Sequence, residues 1–249
     1  MTTQWGFRRA KDGHPSPFKL TYVEIGNEDF LNNGAPSYRG PDGRFVMFYN
    51  AIKAKYPDIQ VIATTDPGEG IPHDVIDNHH YMSPNAAIRN THLYDNADRS
   101  GPKIFEGEWA SQERGTQRGL TPSFRCALSD AAFLTGLERN ADIVIMTCYA
   151  PLFTRVNSGG SQWRTNLIGY DSLTSFGSPS YYVQKMFFNA KGDKVIPVAR
   201  IIPQTIPASE SAPPAQGPRG RFGRGDTPPS PEEPLFACAS REDSTGDPA

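Results

Sequence analysis

The sequence predicts an α/β protein, a parallel sheet flanked by helices. Two observations carry that expectation: short apolar runs alternate with segments of helical period, and the runs are too continuously apolar for strands with one wet face. A third concerns function: carboxylates, histidines and a tyrosine collect just past the ends of those runs, where parallel α/β folds place their chemistry.

LTYVEIG (20–26) reads as the first strand, with no helix or sheet partner expected before it. Phe45, Phe48, Tyr49, Ile52 and Tyr56 then recur at helical spacing, and Pro57 ends the helix. IQVIATT (59–65) is rich in β-branched residues and reads as a buried strand. DVIDNHHY (74–81) is a weaker strand, followed by a helical or irregular stretch, and KIFEGEW (103–109) is a further strand. Residues 122–140 form the clearest helix, with Pro122 near its start and Phe124, Leu128, Ala131, Leu134 and Leu137 along one side. DIVIMTCY (142–149) is expected to be a strand covered on both faces, and PSYYVQKMFF (179–188) a last helix. Beyond residue 197 periodicity ends and Pro, Gly and Arg-Gly pairs take over. The expected organisation is one α/β domain over 1–197 and a Pro/Gly-rich disordered tail over 198–249.

Composition narrows the function classes. A formal net charge of −2 over 249 residues and a pI of about 6.2 give no basic excess for nucleic acid or an anionic membrane. The Arg-Gly pairs of the tail are mixed with acids, which reads as a solvated segment rather than an RNA contact. Cys126, Cys148 and Cys238 are too few for a disulfide framework, and Cys148, inside an apolar run, is expected in the core. The first residues lack the apolar segment of a signal peptide, and no run approaches the roughly 18 apolar residues of a membrane span.

The strand ends carry the candidate chemistry. The first strand ends in Asn27 and Glu28, the third in His79, His80 and Tyr81, and the fourth carries Glu106 and Glu108. Two carboxyl groups facing across a cleft suit glycoside hydrolysis, one donating a proton to the departing oxygen and one attacking or steadying the cationic sugar carbon. Such neighbours push their pKa values apart, so both roles exist at one pH. Glu106 and Glu108 are expected on opposite sides if their strand is regular, leaving one at the rim. Asp29 reads as a helix or loop cap. Adjacent His79 and His80 invite a metal, as in a metal-dependent hydrolase on a similar barrel, yet no third ligand stands at a suitable spacing.

The motifs YVEIGNED, DNHHYMSP and IFEGEWAS, together with GHPSPFKLTYVEIGNEDF, FYNAIKAKYPDIQVIATT, ALSDAAFLTGLERNADIVIMTCYAPLF, QWRTNLIGYDS and PSYYVQKMF, resemble the glycoside hydrolase family 51 α-L-arabinofuranosidases over residues 5 to about 197. The resemblance implies strands four to eight of a (β/α)8 TIM barrel, with no counterpart here to the N-terminal region or the C-terminal β-sandwich. It implies Glu28 as acid/base, Glu108 as nucleophile (Glu106 being the fallback), and Asn27, His79 and Tyr81 as substrate-binding residues. Trp109 stands where the family more often has tyrosine. The implied reaction is retaining hydrolysis of terminal α-L-arabinofuranosyl groups from arabinose-containing plant cell-wall polysaccharides, without metal or cofactor and outside the cell. The alternative is an inactive remnant or weak carbohydrate-binding module of the same family.

Overall fold

The computed structural model describes residues 3–113, 122–160, 163, 165–199 and 235–243. The chain divides into two compact units, Met1–Asn189 and Ala190–Ala249. The break falls at the end of the last helix, eight residues before the expected boundary.

The first unit opens with helix α1 (Gln4–Lys11), where no element was expected. Thr3 caps it, its side chain accepting from the Gly6 N–H. None of its residues is buried, and Trp5 and Phe7 face outward, so it lacks the apolar stripe by which a helix is read from sequence. β1 (Tyr22–Ile25), α2 (Arg44–Lys55), β2 (Gln60–Ala63), β3 (Val75–Met82), α3 (Pro84–Arg89), β4 (Lys103–Ser111), α4 (Phe124–Arg139) and β5 (Val144–Tyr149) follow. The five strands form one all-parallel sheet in the order β1-β2-β3-β4-β5. Every expected strand is present within a few residues of its expected bounds.

Two apolar clusters seat helices on the sheet. Phe45 of α2 packs with Ile25, Tyr38, Val61 and Ala63. Phe133 and Leu137 of α4 pack with Ile104, Trp109, Val144 and Tyr149. Ser123 caps α4 through the Cys126 N–H. The first turns of α4 overhang: Phe124 and Leu128, expected on its buried side, are exposed, while Ala127, Phe133, Leu134 and Leu137 are covered. Asp130 of α4 is fully buried and accepts from the Ser111 N–H (3.0 Å) and the Ser180 hydroxyl (2.6 Å). That carboxylate links the end of β4 to helix α5 (Pro179–Asn189).

The fifth strand departs from expectation. β5 is an edge of the sheet, and Thr147 and Cys148 are exposed. Cys148 is therefore not a core thiol, although Val144 and Tyr149 of the same strand are buried. Three short strands were not read at all: β6 (Phe153–Arg155), β7 (Ile168–Tyr170) and β8 (Ser175–Gly177) form a separate sheet, β6 parallel and β8 antiparallel to β7. Three residues are too few to show a period of two.

In the second unit β9 (Lys194–Val195) pairs antiparallel with β10 (Ser240–Arg241). The latter lies within the segment expected to be irregular. Most of the expected disordered tail, residues 200–234 and 244–249, falls outside the described residues.

Candidate active site

Glu28 stands at the C-terminal end of β1 in a left-handed backbone conformation (φ 49°, ψ 36°), uncommon for a residue with a side chain. Its N–H donates to the Thr64 hydroxyl (2.9 Å), just past β2. Gly26 before it makes the turn possible: φ is 98°, and a side-chain carbon there would lie 2.0 Å from the Asp29 carboxylate. Asp29 is not a rim acid; it is buried, opens a 3-10 turn and pairs with Arg44. Such backbone tension persists only where surrounding contacts hold it, and it clusters at functional sites.

β3 supplies three side chains to one face. Asp77, His79 and Tyr81, spaced by two, all point to the side where Glu28 lies. The His79 ring is almost fully covered and touches three carboxylates. Its Nε2 is 2.7 Å from Asp77 Oδ2, while its Nδ1 is 3.1 Å from Glu28 Oε1 and 3.7 Å from Glu108 Oε2. The Tyr81 hydroxyl donates to Glu108 Oε2 (2.7 Å). Asn78 and His80 point the other way. His80 Nδ1 is 2.5 Å from Glu106 Oε1, and Tyr94 donates to Glu106 Oε2 (2.5 Å). His79 and His80 thus serve opposite faces and cannot share a metal.

The separation of Glu106 from Glu108 has a different cause from the one expected. In a regular strand, residues two apart share a face. Here the register slips: Asn78 pairs with Glu106, but His79 pairs with Glu108, so Gly107 is an extra residue in β4. This bulge turns Glu106 to the helix side, fully buried, and leaves Glu108 on the other face at about one-third exposure. Glu106 is excluded from the rim, and Glu108 is the glutamate that meets Glu28. A side chain at position 107 would lie 2.1 Å from Asp77 Oδ1, so only glycine fits.

Among the described residues, Glu28, His79 and Glu108 form the one group of three potential ligands, with one donor atom from each within 4.8 Å of the others. Asn27 is exposed beside Glu28 and makes no hydrogen bond among the described residues. Phe30 stands edge-on to His79 at 6.3 Å and lines a cleft of about 290 Å³ with Thr64, Asp66 and Asp77.

Charge in the cluster is set by proximity. Burial opposes protonation of His79, but the bond to Glu28 and the charges of Asp77 and Glu108 outweigh it and raise its pKa. Burial, then the bond to Glu108, pushes the Tyr81 hydroxyl up, so it stays a donor. Glu24, two residues before Gly26, is raised to about 8 by desolvation and by its carboxylate neighbour Asp77. Glu24, Asp77 and Thr64 did not stand out in the sequence. Asp77 was legible in principle, since its spacing of two from His79 puts them on one face.

The chain itself has known relatives. Residues 1–99 match the model of the alpha-L-arabinofuranosidase 1 domain, and residues 107–232 that of the alpha-L-arabinofuranosidase C-terminal domain. The second match passes residue 197, where the recognisable motifs end. An extracellular exo-alpha-L-arabinofuranosidase of Streptomyces chartreusis is 42% identical over 212 residues, covering 79% of this chain and 23% of that protein. Alpha-L-arabinofuranosidase 2 of Arabidopsis thaliana is 41% identical, covering 76% of this chain and 27% of its own length. Alpha-L-arabinofuranosidase A of Aspergillus kawachii is also 41% identical, at 78% and 30%. Among solved structures, the arabinose-bound MgGH51 α-L-arabinofuranosidase is similar at a TM-score of 0.69 and 38% identity, over 79% of this chain and 32% of that one. The arabinose complex of the Thermotoga maritima enzyme shares the fold at 19% identity and a TM-score of 0.55, over 78% of this chain and 45% of that one.

Proposed function

The chain belongs to the glycoside hydrolase family 51 α-L-arabinofuranosidases, and on that premise we propose that it carries a retaining hydrolase site for terminal, non-reducing α-L-arabinofuranosyl groups. The observation that carries this reading is the approach of Glu28 and Glu108, whose nearest carboxylate oxygens lie within 4.8 Å of each other with His79 between them. Retaining glycosidases hold their two carboxyl groups about 5–5.5 Å apart, whereas inverting enzymes leave room for a water at about 6.5–9.5 Å.

In this reading Glu108 attacks the sugar carbon. Tyr81 occupies Oε2, which leaves Oε1 as the attacking atom. The proton for the departing oxygen lies between Glu28 Oε1 and His79 Nδ1. Its transfer leaves Glu28 ionised beside a ring whose raised pKa makes it ready to be recharged. Glu28 then takes a proton from water, which opens the arabinosyl ester on Glu108 with net retention. Asn27, exposed at the rim, is placed to meet a sugar hydroxyl. The substrate class inferred is the arabinose-containing polysaccharide of plant cell walls, reached outside the cell; the relatives' names support the arabinofuranosyl group alone, and one of those proteins is named extracellular. Among the described residues no helix is long and apolar enough to cross a membrane.

A second reading rests on the open sheet. β1 and β5 have one neighbour each among the described residues, so sugar contacts from other staves of a barrel would be lacking and weak binding without turnover would result. Hydrolysis of a chromogenic aryl α-L-arabinofuranoside separates the two. The first reading expects release of the chromophore by the chain, abolished in Glu108→Ala and held to slow turnover in Glu28→Ala, which lacks the base that opens the ester. The second expects no release, with arabinose binding retained in Glu108→Gln.

A further inference from the structure

Asp77 has no place in the double displacement, yet it is the most connected carboxylate of the site. It is buried at 5% exposure. Oδ2 sits 2.7 Å from Nε2 of His79, and Oδ1 accepts the Gly107 N–H at 2.9 Å. The second contact is specific to the bulge. An extra residue in a strand leaves its N–H without a ladder partner, and a buried orphan amide is costly. Asp77 supplies that partner from the neighbouring strand, and the absence of a side chain at Gly107 is what lets its carboxylate approach.

We propose that Asp77 is the positioning residue that sets the two glutamates against each other, anchoring His79 and so Glu28 through one oxygen, and the Gly107 bulge and so Glu108 through the other. This rests on the reading of Glu28 and Glu108 as the reacting pair. Two rim groups from strands that are not neighbours, β1 and β4, are thereby tied to one atom pair on β3 between them. The other ionisable groups facing His79 and Asp77 are Glu28 after β1, Glu24 on β1, Glu108 on β4 and Tyr81 on β3 itself.

The consequence is a defined ring tautomer. Asp77 accepts only, so Nε2 of His79 carries a proton. In Asp77→Asn the amide oxygen keeps the Gly107 N–H, which turns the amide NH2 toward Nε2. The ring then carries its proton on Nδ1. Nitrogen-15 spectra of the full chain at neutral pH read this directly, with the His79 signals identified among the five histidines by loss in His79→Gln. The expected result is a protonated Nε2 in the parent and an Nδ1–H tautomer in Asp77→Asn. In Asp77→Ala the Gly107 amide should exchange with solvent about tenfold faster or more, the effect of losing a charge-assisted bond. An unprotonated Nε2 in the parent, an unmoved proton in Asp77→Asn, or unchanged Gly107 exchange in Asp77→Ala would each overturn the proposal. If the variants do not fold, the parent spectrum decides. None of these signals requires turnover, so a chain that fails to hydrolyse a sugar while showing them would refute the functional reading and leave the positioning one standing.

Discussion

Gly107 shows how much one residue decides. It lets β4 carry an extra residue, and that residue separates the buried Glu106 from the rim Glu108. Gly107→Ala drives a methyl group into the Asp77 carboxylate. It is expected to cost about 1–3 kcal/mol, the usual effect of overpacking a covered site, seen as a lower urea midpoint. Glu24 makes a prediction about pH. Its folded pKa of about 8 lies above its ordinary value of 4.5, so the folded chain holds a proton that the unfolded chain has released. Glu24 therefore favours folding at acid pH, and that advantage is lost as pH rises from about 4.5 through about 8. Glu24→Gln should flatten this slope in urea midpoints measured across that window. At this scale alternation along a strand could have parted His79 from His80, which were read together at the rim as a pair inviting a metal; the structure puts them on opposite faces. The bulge was not readable, because it exists only in the register between β3 and β4. The expectation that a regular strand would part Glu106 from Glu108 gave the right separation for the wrong reason.

Elements with a long apolar pattern were legible, and those without one were not. The five strands and helices α2, α4 and α5 follow from apolar pattern, α2 and α4 because each buries one side against the sheet and α5 because it packs on α4. α1 buries nothing, and β6, β7 and β8 have three residues each, so neither left a pattern. Polar links between elements are equally invisible in sequence and testable in structure. Asp95, beyond α3, is tied to the end of α4 by Arg139 (2.9 Å) and Asn140 (2.7 Å). Burial works against its ionisation, but the bonds from Asn140, His92 and Arg139 prevail and hold it at about 2. Its folded pKa is lowered from 3.8, so it stabilises the fold above that value and the contribution disappears as pH falls from about 4 to about 2. Asp95→Asn should lower stability at neutral pH and weaken its dependence on pH within that acid window. Asp130, buried under β4 and α5, is the other such link. Asp130→Ala strands the Ser111 N–H and the Ser180 hydroxyl and should cost about 1–3 kcal/mol of unfolding free energy in a denaturant titration.

At the largest scale the central fact is that β1 and β5 each have one strand neighbour among the described residues. The residues that make the site line up on the face bearing Asp77, His79, Glu108 and Tyr81, and Cys148 of edge strand β5 is exposed. The expectation of a core cysteine failed because an all-apolar strand signals cover on both faces, whereas among the described residues Cys148 of edge strand β5 is left uncovered. A thiol reagent should modify Cys148 in the folded chain within minutes while Cys126, buried in α4, reacts only on unfolding; protection of Cys148 would mean that this face is covered in solution. The chain spans 23% to 30% of the length of the three relatives compared above, so the strength of its catalysis is a property to be measured on this chain itself. The most direct measurement is peptide mass mapping after reaction with an aryl α-L-arabinofuranoside bearing a highly activated leaving group, which needs no protonation to depart. Glu28→Ala, lacking the base that opens the ester, is the variant in which the intermediate accumulates. A single pentosyl adduct on the peptide carrying Glu108 is the predicted result. An adduct on any other carboxylate, or product of inverted configuration with no adduct, would contradict the account.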